Sequence, residues 1–239
     1  MQHERNIKGK TAIITGAGRG IGRAIARRLA VGGASVVVAS RTQSQLDETQ
    51  RMIERAGGKV LAVSADVSNV EDVQRLVDEA NSAFGGVDIL VNNAGFASLA
   101  TIDQMEPPVF DQIIAMNVRT VYLCTHAVWP IMLERDGGVI VNISSVAAYD
   151  PFPGFAAYGA AKAFVATYTR ALATEGKSCG IRVYGVAPGA VETEMLRGAF
   201  PSFPLEKTLQ PDDVAAFVEL LIDPACRHIS GQTITVKKD

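Results

Sequence analysis

The chain has 239 residues, 48% of them hydrophobic and 20% charged, with a net charge of −2. That length suits one large domain or two small ones with a substantial core, and the near-neutral balance offers no basic surface for nucleic acid or an anionic membrane. No stretch approaches the roughly 20 apolar residues of a membrane span, and the opening MQHERNIKGK has no apolar run, so no signal peptide is expected.

The first element in chain order is TAIIT at 11–15, a short β-branched run. TGAGRGIG, Thr15 to Gly22, follows it and opens a helical pattern at 21–31. Backbone N–H groups at such a helix start can hold a pyrophosphate, and glycine permits close approach. The usual GxGxxG register fails in every frame. What fits is Gly16, three residues, Gly20, one residue, Gly22. The GKT at 9–11 is not a nucleotide-phosphate loop, because that motif needs glycine where Glu4 stands.

SVVVA (35–39), VLAVS (60–64), DILVN (88–92), GVIVNI (138–143), IRVYGVA (181–187) and TITV (233–236) read as further strands. Helical patterns fill the gaps at 43–56, 70–84, 108–135, 156–177 and 212–222. Asp72, Asp88 and Asp111 sit close to element starts, where acids suit helix N-termini or turns. Most strand runs are continuously apolar, as expected of strands covered on both faces. The alternation implies one doubly wound α/β domain over 1–239 with a parallel sheet and helices on both faces. One long irregular segment, 194–210, interrupts it; a loop of that length is usually functional, often a lid.

Within FAAYGAAKAF, Phe155 to Phe164, only Tyr158 and Lys162 are neither small nor apolar. At i and i+4 on a helix they share a face. Alone, the pair also suits a surface lysine snorkelling past a half-buried tyrosine. Cys124, Cys179 and Cys226 are far apart and odd in number, which suggests free thiols in a reducing compartment and the cytoplasm. His3, His126 and His228 are too scattered for a metal site. No GxSxG occurs, which argues against a hydrolase nucleophile elbow.

Gly16-x3-Gly20-x-Gly22, NNAG at 92–95, Ser145, Tyr158-x3-Lys162 and Pro188-Gly189 occur in the order and spacing of short-chain dehydrogenases/reductases. The resemblance covers essentially the whole chain. It implies a single Rossmann-type domain whose seven strands lie in the order 3-2-1-4-5-6-7. It also implies Tyr158 as general acid/base, with Lys162 lowering the phenol's pKa through its charge and holding the nicotinamide ribose. Ser145, thirteen residues before Tyr158, would hydrogen-bond the substrate oxygen; Ser144 is its competitor, and spacing favours Ser145. A Ser pair at a strand end can also simply satisfy its own loop. Asn117 in AMNVRT would be the fourth catalytic member, distorting its helix; taken alone it reads as solvent-facing.

Around the cofactor the resemblance implies Gly16, Gly20, Ile21 and Gly22 at the phosphates and Asp66 and Val67 at the adenine. Asp66 could instead cap the next helix, as could Ser68 or Asn69. Asn93, Ala94 and Gly95 would wall the adenine-ribose side. Pro188, Gly189, Val191 and Thr193 match PGxVxT, whose valine and threonine engage the carboxamide. An NAD-type site has an acid at the end of the second strand. Here Ser40 stands there, followed by Arg41, with Arg19 in the glycine loop; that favours NADP(H) over NAD(H), because arginine pairs with a 2′-phosphate.

The substrate would be a small carbonyl or alcohol compound. The general resemblance is to 3-oxoacyl-(acyl-carrier-protein) reductases, although Thr174 replaces an arginine often found there and the tail ends VKKD rather than a DGG-like sequence. The apolar 194–210 segment, with Met195, Leu196, Phe200, Phe203 and Leu205, faces Phe152 and Phe155 in this reading, which favours acyl-chain or aromatic ketones. A homotetramer or homodimer is the family's default. Alternatives are a dehydrogenase oxidising a polyol or hydroxy compound, and a non-catalytic NADP-binding regulator.

Overall fold

The computed structural model of the protein describes residues 7–238. Residues 1–6, which carry the signal-peptide reading together with His3 and Glu4, lie outside the described residues, as does Asp239.

The strands are β1 (Thr11–Thr15), β2 (Ser35–Ser40), β3 (Lys59–Ser64), β4 (Ile89–Asn92), β5 (Gly138–Ile143), β6 (Ile181–Pro188) and β7 (Thr233–Val236). All pair in parallel, in the order β3-β2-β1-β4-β5-β6-β7. Successive residues of a strand point to opposite faces, and here both faces are buried. Ile14, Val36, Val38, Val91 and Val141 enter one core, while Ile13, Val37, Leu90, Ile140 and Val183 enter another. This is why the strands read as unbroken apolar runs.

The helices are α1 (Gly20–Val31), α2 (Gln43–Arg55), α3 (Val70–Phe84), α4 (Pro107–Ile114), α5 (Thr120–Glu134), α6 (Ala156–Gly176), α7 (Glu194–Ala199) and α8 (Pro211–Ile222). Ile25 and Leu29 of α1, Leu46 and Ile53 of α2, and Val214 and Val218 of α8 close the first core. Val73 and Leu76 of α3, Leu123 and Val128 of α5, and Leu172 of α6 close the second. β1 has β2 on one side and β4 on the other, so the chain reverses direction of travel across the sheet there. The crevice beyond the carboxyl ends of strands at such a switch point is where doubly wound sheets bind ligands.

Three sequence expectations change. The helix read over 108–135 is α4 and α5 joined by a π-turn, Ala115–Arg119. Asp111 consequently lies inside α4 rather than at an element start. Asp72 is in the first turn of α3, and Asp88, just before β4, accepts the Thr11 N–H at 2.9 Å and pairs with Lys10 and Arg135. The segment 194–210 is partly regular, because Thr193 caps α7 by accepting the Leu196 N–H at 3.2 Å. A short 3₁₀ turn, Leu205–Lys207, follows. Among the described residues no helix is long and apolar enough to cross a membrane.

Candidate active site

A cleft of about 1020 Å³ runs across the carboxyl ends of the strands. Every sequence-predicted site residue lines it except Gly22. Gly22 lies beneath the first turn, where a β-carbon would meet the Gly16 carbonyl oxygen at 2.4 Å and the Asn93 amide at 2.5 Å. Gly16 has φ of +65°, which favours glycine. The turn is therefore drawn tight against the loop after β4. Asn93 Nδ2 donates to the Thr15 and Gly16 carbonyls at 2.9 and 3.2 Å.

Arg19, the residue before α1, is extended and makes no side-chain cap. The first N–H groups of a 12-residue helix are thereby left facing the cleft, with a positive dipole end behind them. Such a helix start fits a pyrophosphate. On the far wall Asp66 accepts from the Ser68 N–H and hydroxyl at 3.0 and 2.7 Å, and Val67 is buried. Asn69, not Asp66, caps α3, accepting from Asp72 N at 2.9 Å.

The other end of the cleft brings Ser145, Tyr158, Lys162 and Asn117 together. Tyr158 and Lys162 lie one turn apart on α6, and the ammonium stands 5.6 Å from the phenol ring centre. Gly159 lets α6 press onto the turn after Ser145, since a β-carbon there would lie 2.6 Å from the Ala147 carbonyl oxygen. That approach sets Tyr158 beside Ser145, near enough for the serine to favour the phenolate. The Ser145 hydroxyl also accepts the Ala147 N–H at 3.2 Å. Ser144 also borders the cleft, but it is buried and its hydroxyl is committed to the Lys162 carbonyl at 2.8 Å.

Lys162 is only 4% exposed, and its ammonium donates to the Ile143 carbonyl at 3.0 Å. Asn117 is fully buried rather than solvent-facing. Its amide donates to the Phe96 and Ile113 carbonyls at 2.7 and 2.9 Å. Ile113 is the carbonyl that an α-helix would give to the N–H of Asn117 itself. The side chain competes for it, and the helix opens into the π-turn. Asn117 Oδ1 and Lys162 Nζ both lie against Gly95, where a β-carbon would be 2.8 and 3.4 Å away.

The electrostatics differ from the expectation that the lysine charge lowers the phenol's pKa. Burial pushes the Tyr158 phenol up to about 12, and the Ser145 hydrogen bond only partly opposes it. Burial likewise pushes the Lys162 ammonium down to about 8. Desolvation of both groups outweighs their mutual attraction, because the ammonium is held by a carbonyl dipole rather than by a counter-charge.

Several supporting roles were not assigned from sequence, although Asn92 and Thr15 lie within the NNAG and glycine motifs. Asn92 and Asn142 are register partners on β4 and β5, and their side chains bond at 2.9 Å. Asn92 reaches Thr125 at 3.2 Å and Asn142 reaches Thr169 at 2.9 Å, which ties both strands to α5 and α6 beneath the site. Thr15 accepts the N–H groups of Asn93 and Ala94, each at 3.0 Å. A legible signal existed: Asn92 is the last residue and Asn142 the last but one of an otherwise apolar strand.

Val191 pairs with Leu209, which pinches the segment between them into a closed excursion. Inside it Arg197 pairs with Glu192 and donates to the Phe203 carbonyl at 2.6 Å. Phe200 packs against Phe152 and Phe155, with ring centres 5.6 and 5.8 Å apart, and Phe155 lies tilted against Tyr158 at 5.1 Å. The excursion thus meets an aromatic wall beside the phenol. At the opposite edge Ser40 and exposed Arg41 line the cleft, and Arg19 forms an ion pair with Glu194.

Among known families, that of the short chain dehydrogenase matches residues 10–202. The chain is 36% identical to the dehydrogenase/reductase SDR family member 4 of Bos taurus, over 99% of this chain and 88% of that one. Among solved structures it is similar to a 3-ketoacyl-(acyl-carrier-protein) reductase from Brucella melitensis complexed with NADH. Identity there is 39% and the TM-score 0.91, covering 97% of this chain and 98% of that one. It is also similar to a 7α-hydroxysteroid dehydrogenase complexed with NADH and 7-oxo glycochenodeoxycholic acid. That match has 35% identity and a TM-score of 0.93, covering 99% of this chain and 97% of that one.

Proposed function

The chain belongs to the short-chain dehydrogenase family of oxidoreductases, and we propose that it interconverts an apolar ketone and a secondary alcohol using NADP(H), with NAD(H) less favoured. The observation that carries this reading is the meeting of Ser145, Tyr158 and Lys162 at one end of a cleft whose other end is an uncapped helix start. Gly16, Gly20, Ile21, Asp66, Val67, Asn93, Ala94 and Gly95 would hold the adenine and phosphate side. Pro188, Gly189, Val191 and Thr193 would hold the nicotinamide side. When bound, the cofactor supplies or accepts a hydride.

In the reductive direction the Tyr158 phenol gives its proton to the substrate oxygen, and in the oxidative direction the phenolate takes it back. The Ser145 hydroxyl donates to the same oxygen as its charge develops. Lys162 stabilises the phenolate and also holds the ribose, while Asn117 fixes the loop at Phe96 over the lysine. The segment 194–210 acts as a lid within the single 1–239 unit. Closing it over hydrocarbon is favoured by about 25 cal/mol per Å² removed from water.

Phe152, Phe155 and Phe200 favour an apolar substrate over a polyol, with a 3-oxoacyl thioester as the first candidate and a polycyclic ketone as the second. The names of the similar solved structures support both candidates. NADPH oxidation across 3-oxoacyl thioesters, alkyl ketones, polycyclic ketones and sugars tests the reading. kcat/KM is expected to rise a few-fold per added methylene at first, as about 0.8 kcal/mol per buried CH₂ allows. A flat response to chain length, or a preference for sugars, overturns the substrate assignment.

A further inference from the structure

We infer that Glu194, the first residue of the lid helix, is a cofactor-specificity residue that weakens binding of a 2′-phosphorylated dinucleotide by neutralising Arg19. The inference rests on the reading that a nicotinamide dinucleotide occupies the cleft. Arg19 and Arg41 are the guanidinium groups at the Ser40 corner that sequence assigns to a 2′-phosphate, and only Arg41 lacks a partner among the described residues. Arg19 is paired with a carboxylate 175 positions away.

The pairing is not an accident of two long side chains meeting on a surface. Arg19 and Gly20 face Thr193 and Glu194 as consecutive residues. A β-carbon on Gly20 would lie 3.3 Å from the Thr193 methyl. The Thr193 hydroxyl is committed to capping the lid helix, accepting Leu196 N–H at 3.2 Å. Glu194 follows at the first helical position, so its backbone is placed by the cap and by the contact with the glycine turn. The backbone that carries the carboxylate is therefore set beside the glycine turn by neighbours that do not themselves depend on charge.

The consequence is electrostatic. A phosphate dianion is drawn to Arg19 and repelled by Glu194, and the two effects largely cancel beyond a few ångströms. NAD(H), with a ribose hydroxyl in place of that phosphate, is nearly indifferent to the pair. Both side chains are well exposed, Arg19 at 52% and Glu194 at 68%. Water and salt thus screen the effect, which sets it at a few-fold rather than many-fold.

The experiment is a fluorescence titration of NADPH and NADH on the full chain at low salt. The variants are Glu194→Gln, Arg19→Gln, the double variant, and Glu206→Gln as a control of equal charge change on another exposed lid residue. Glu194→Gln is expected to tighten NADPH about three- to tenfold, to leave NADH within about twofold, and to lose most of its effect at 0.5 M salt. Glu206→Gln is expected to change neither. In the Arg19→Gln background the Glu194 substitution is expected to give a markedly smaller gain. An unchanged NADPH-to-NADH ratio in Glu194→Gln overturns the inference. So does a gain equal to that of Glu206→Gln. A parent that binds both cofactors equally, with NADPH gaining only in Glu194→Gln, upholds the inference while overturning the NADP(H) preference. A parent that binds neither overturns both.

Discussion

Replacing Lys162 by methionine should make the protein less sensitive to alkaline pH in one calculable way. The ammonium is 4% exposed, and burial moves it from the ordinary 10.5 to about 8. A lysine with a lowered folded value binds fewer protons folded than unfolded between those two values. Its destabilising effect is therefore fully present below about pH 8 and disappears as pH rises toward 10.5. At 1.36 kcal/mol per pH unit the cost is about 3 kcal/mol at pH 7 and about 1 kcal/mol at pH 9.5. Methionine matches the stem and removes the titration, but it leaves the Ile143 carbonyl without its 3.0 Å donor, a loss of about 1–3 kcal/mol that does not depend on pH. The Lys162→Met variant should thus be near the parent's stability, or above it, at pH 7. Its advantage over the parent should shrink by about 2 kcal/mol by pH 9.5. The assay is urea unfolding at fixed protein concentration, followed by fluorescence of Trp129, which packs against the second core. Titration of Tyr158 begins to destabilise the fold only above its ordinary 10 and reaches its full effect by about 12, so it contributes little between pH 7 and 9.5. A stability difference that is constant between pH 7 and 9.5, or that grows with pH, would refute the reasoning.

Two further outcomes follow from the site. Tyr158→Phe should lower kcat by about 10²–10⁴-fold, the range for a positioned acid–base group, while the cofactor Kd measured by fluorescence titration stays within about twofold. Near-parental turnover on an established ketone would remove Tyr158 from its role. Ser40→Asp with Arg41→Leu should reverse a preference for NADPH, since a carboxylate repels the 2′-phosphate and accepts from the ribose hydroxyl. An unchanged Kd ratio at fixed salt would place the ribose elsewhere.

How much of this was legible in the sequence depends on how local the cause is. The seven strands could be read because burial on both faces removes every polar residue from runs such as Val36–Val38 and Ile13–Ile14. The Tyr158 and Lys162 placement could be read because helical geometry fixes i and i+4 whatever surrounds them. The π-turn at Asn117 could not be read from the local residues, and only the family resemblance implied a distorted helix there. It requires the Phe96 carbonyl, 21 positions away, to hold one side of the amide while Ile113 is taken by the other. The capped helix α7 was hidden because Thr193 was weighed as a ligand to the cofactor, not as an N-cap for Glu194–Ala199. The ion pair between Arg19 and Glu194 has no periodicity at all, since only the fold brings the glycine turn and the lid together.

The shifts at Tyr158 and Lys162 bear on how the proposed proton transfer depends on pH. A general acid must hold its proton at working pH and release it only as the substrate oxygen gains charge. A phenol pushed up to about 12 satisfies the first demand without help from any neighbour. The second demand falls to groups that favour the phenolate once it forms, namely the Ser145 hydrogen bond and the Lys162 charge, which persists below about pH 8. Oxidation needs the reverse: a phenolate present before the alcohol arrives, against the full desolvation cost that raises the phenol. In the role proposed for it, burial therefore keeps Tyr158 in its proton-donating form at neutral pH, and the proton-accepting form belongs to alkaline conditions. But the same alkaline conditions discharge Lys162 above about pH 8 and withdraw the cation that stabilises the phenolate. The two titrations oppose one another, so raising the pH forms the phenolate only while it withdraws the neighbouring charge that would stabilise it.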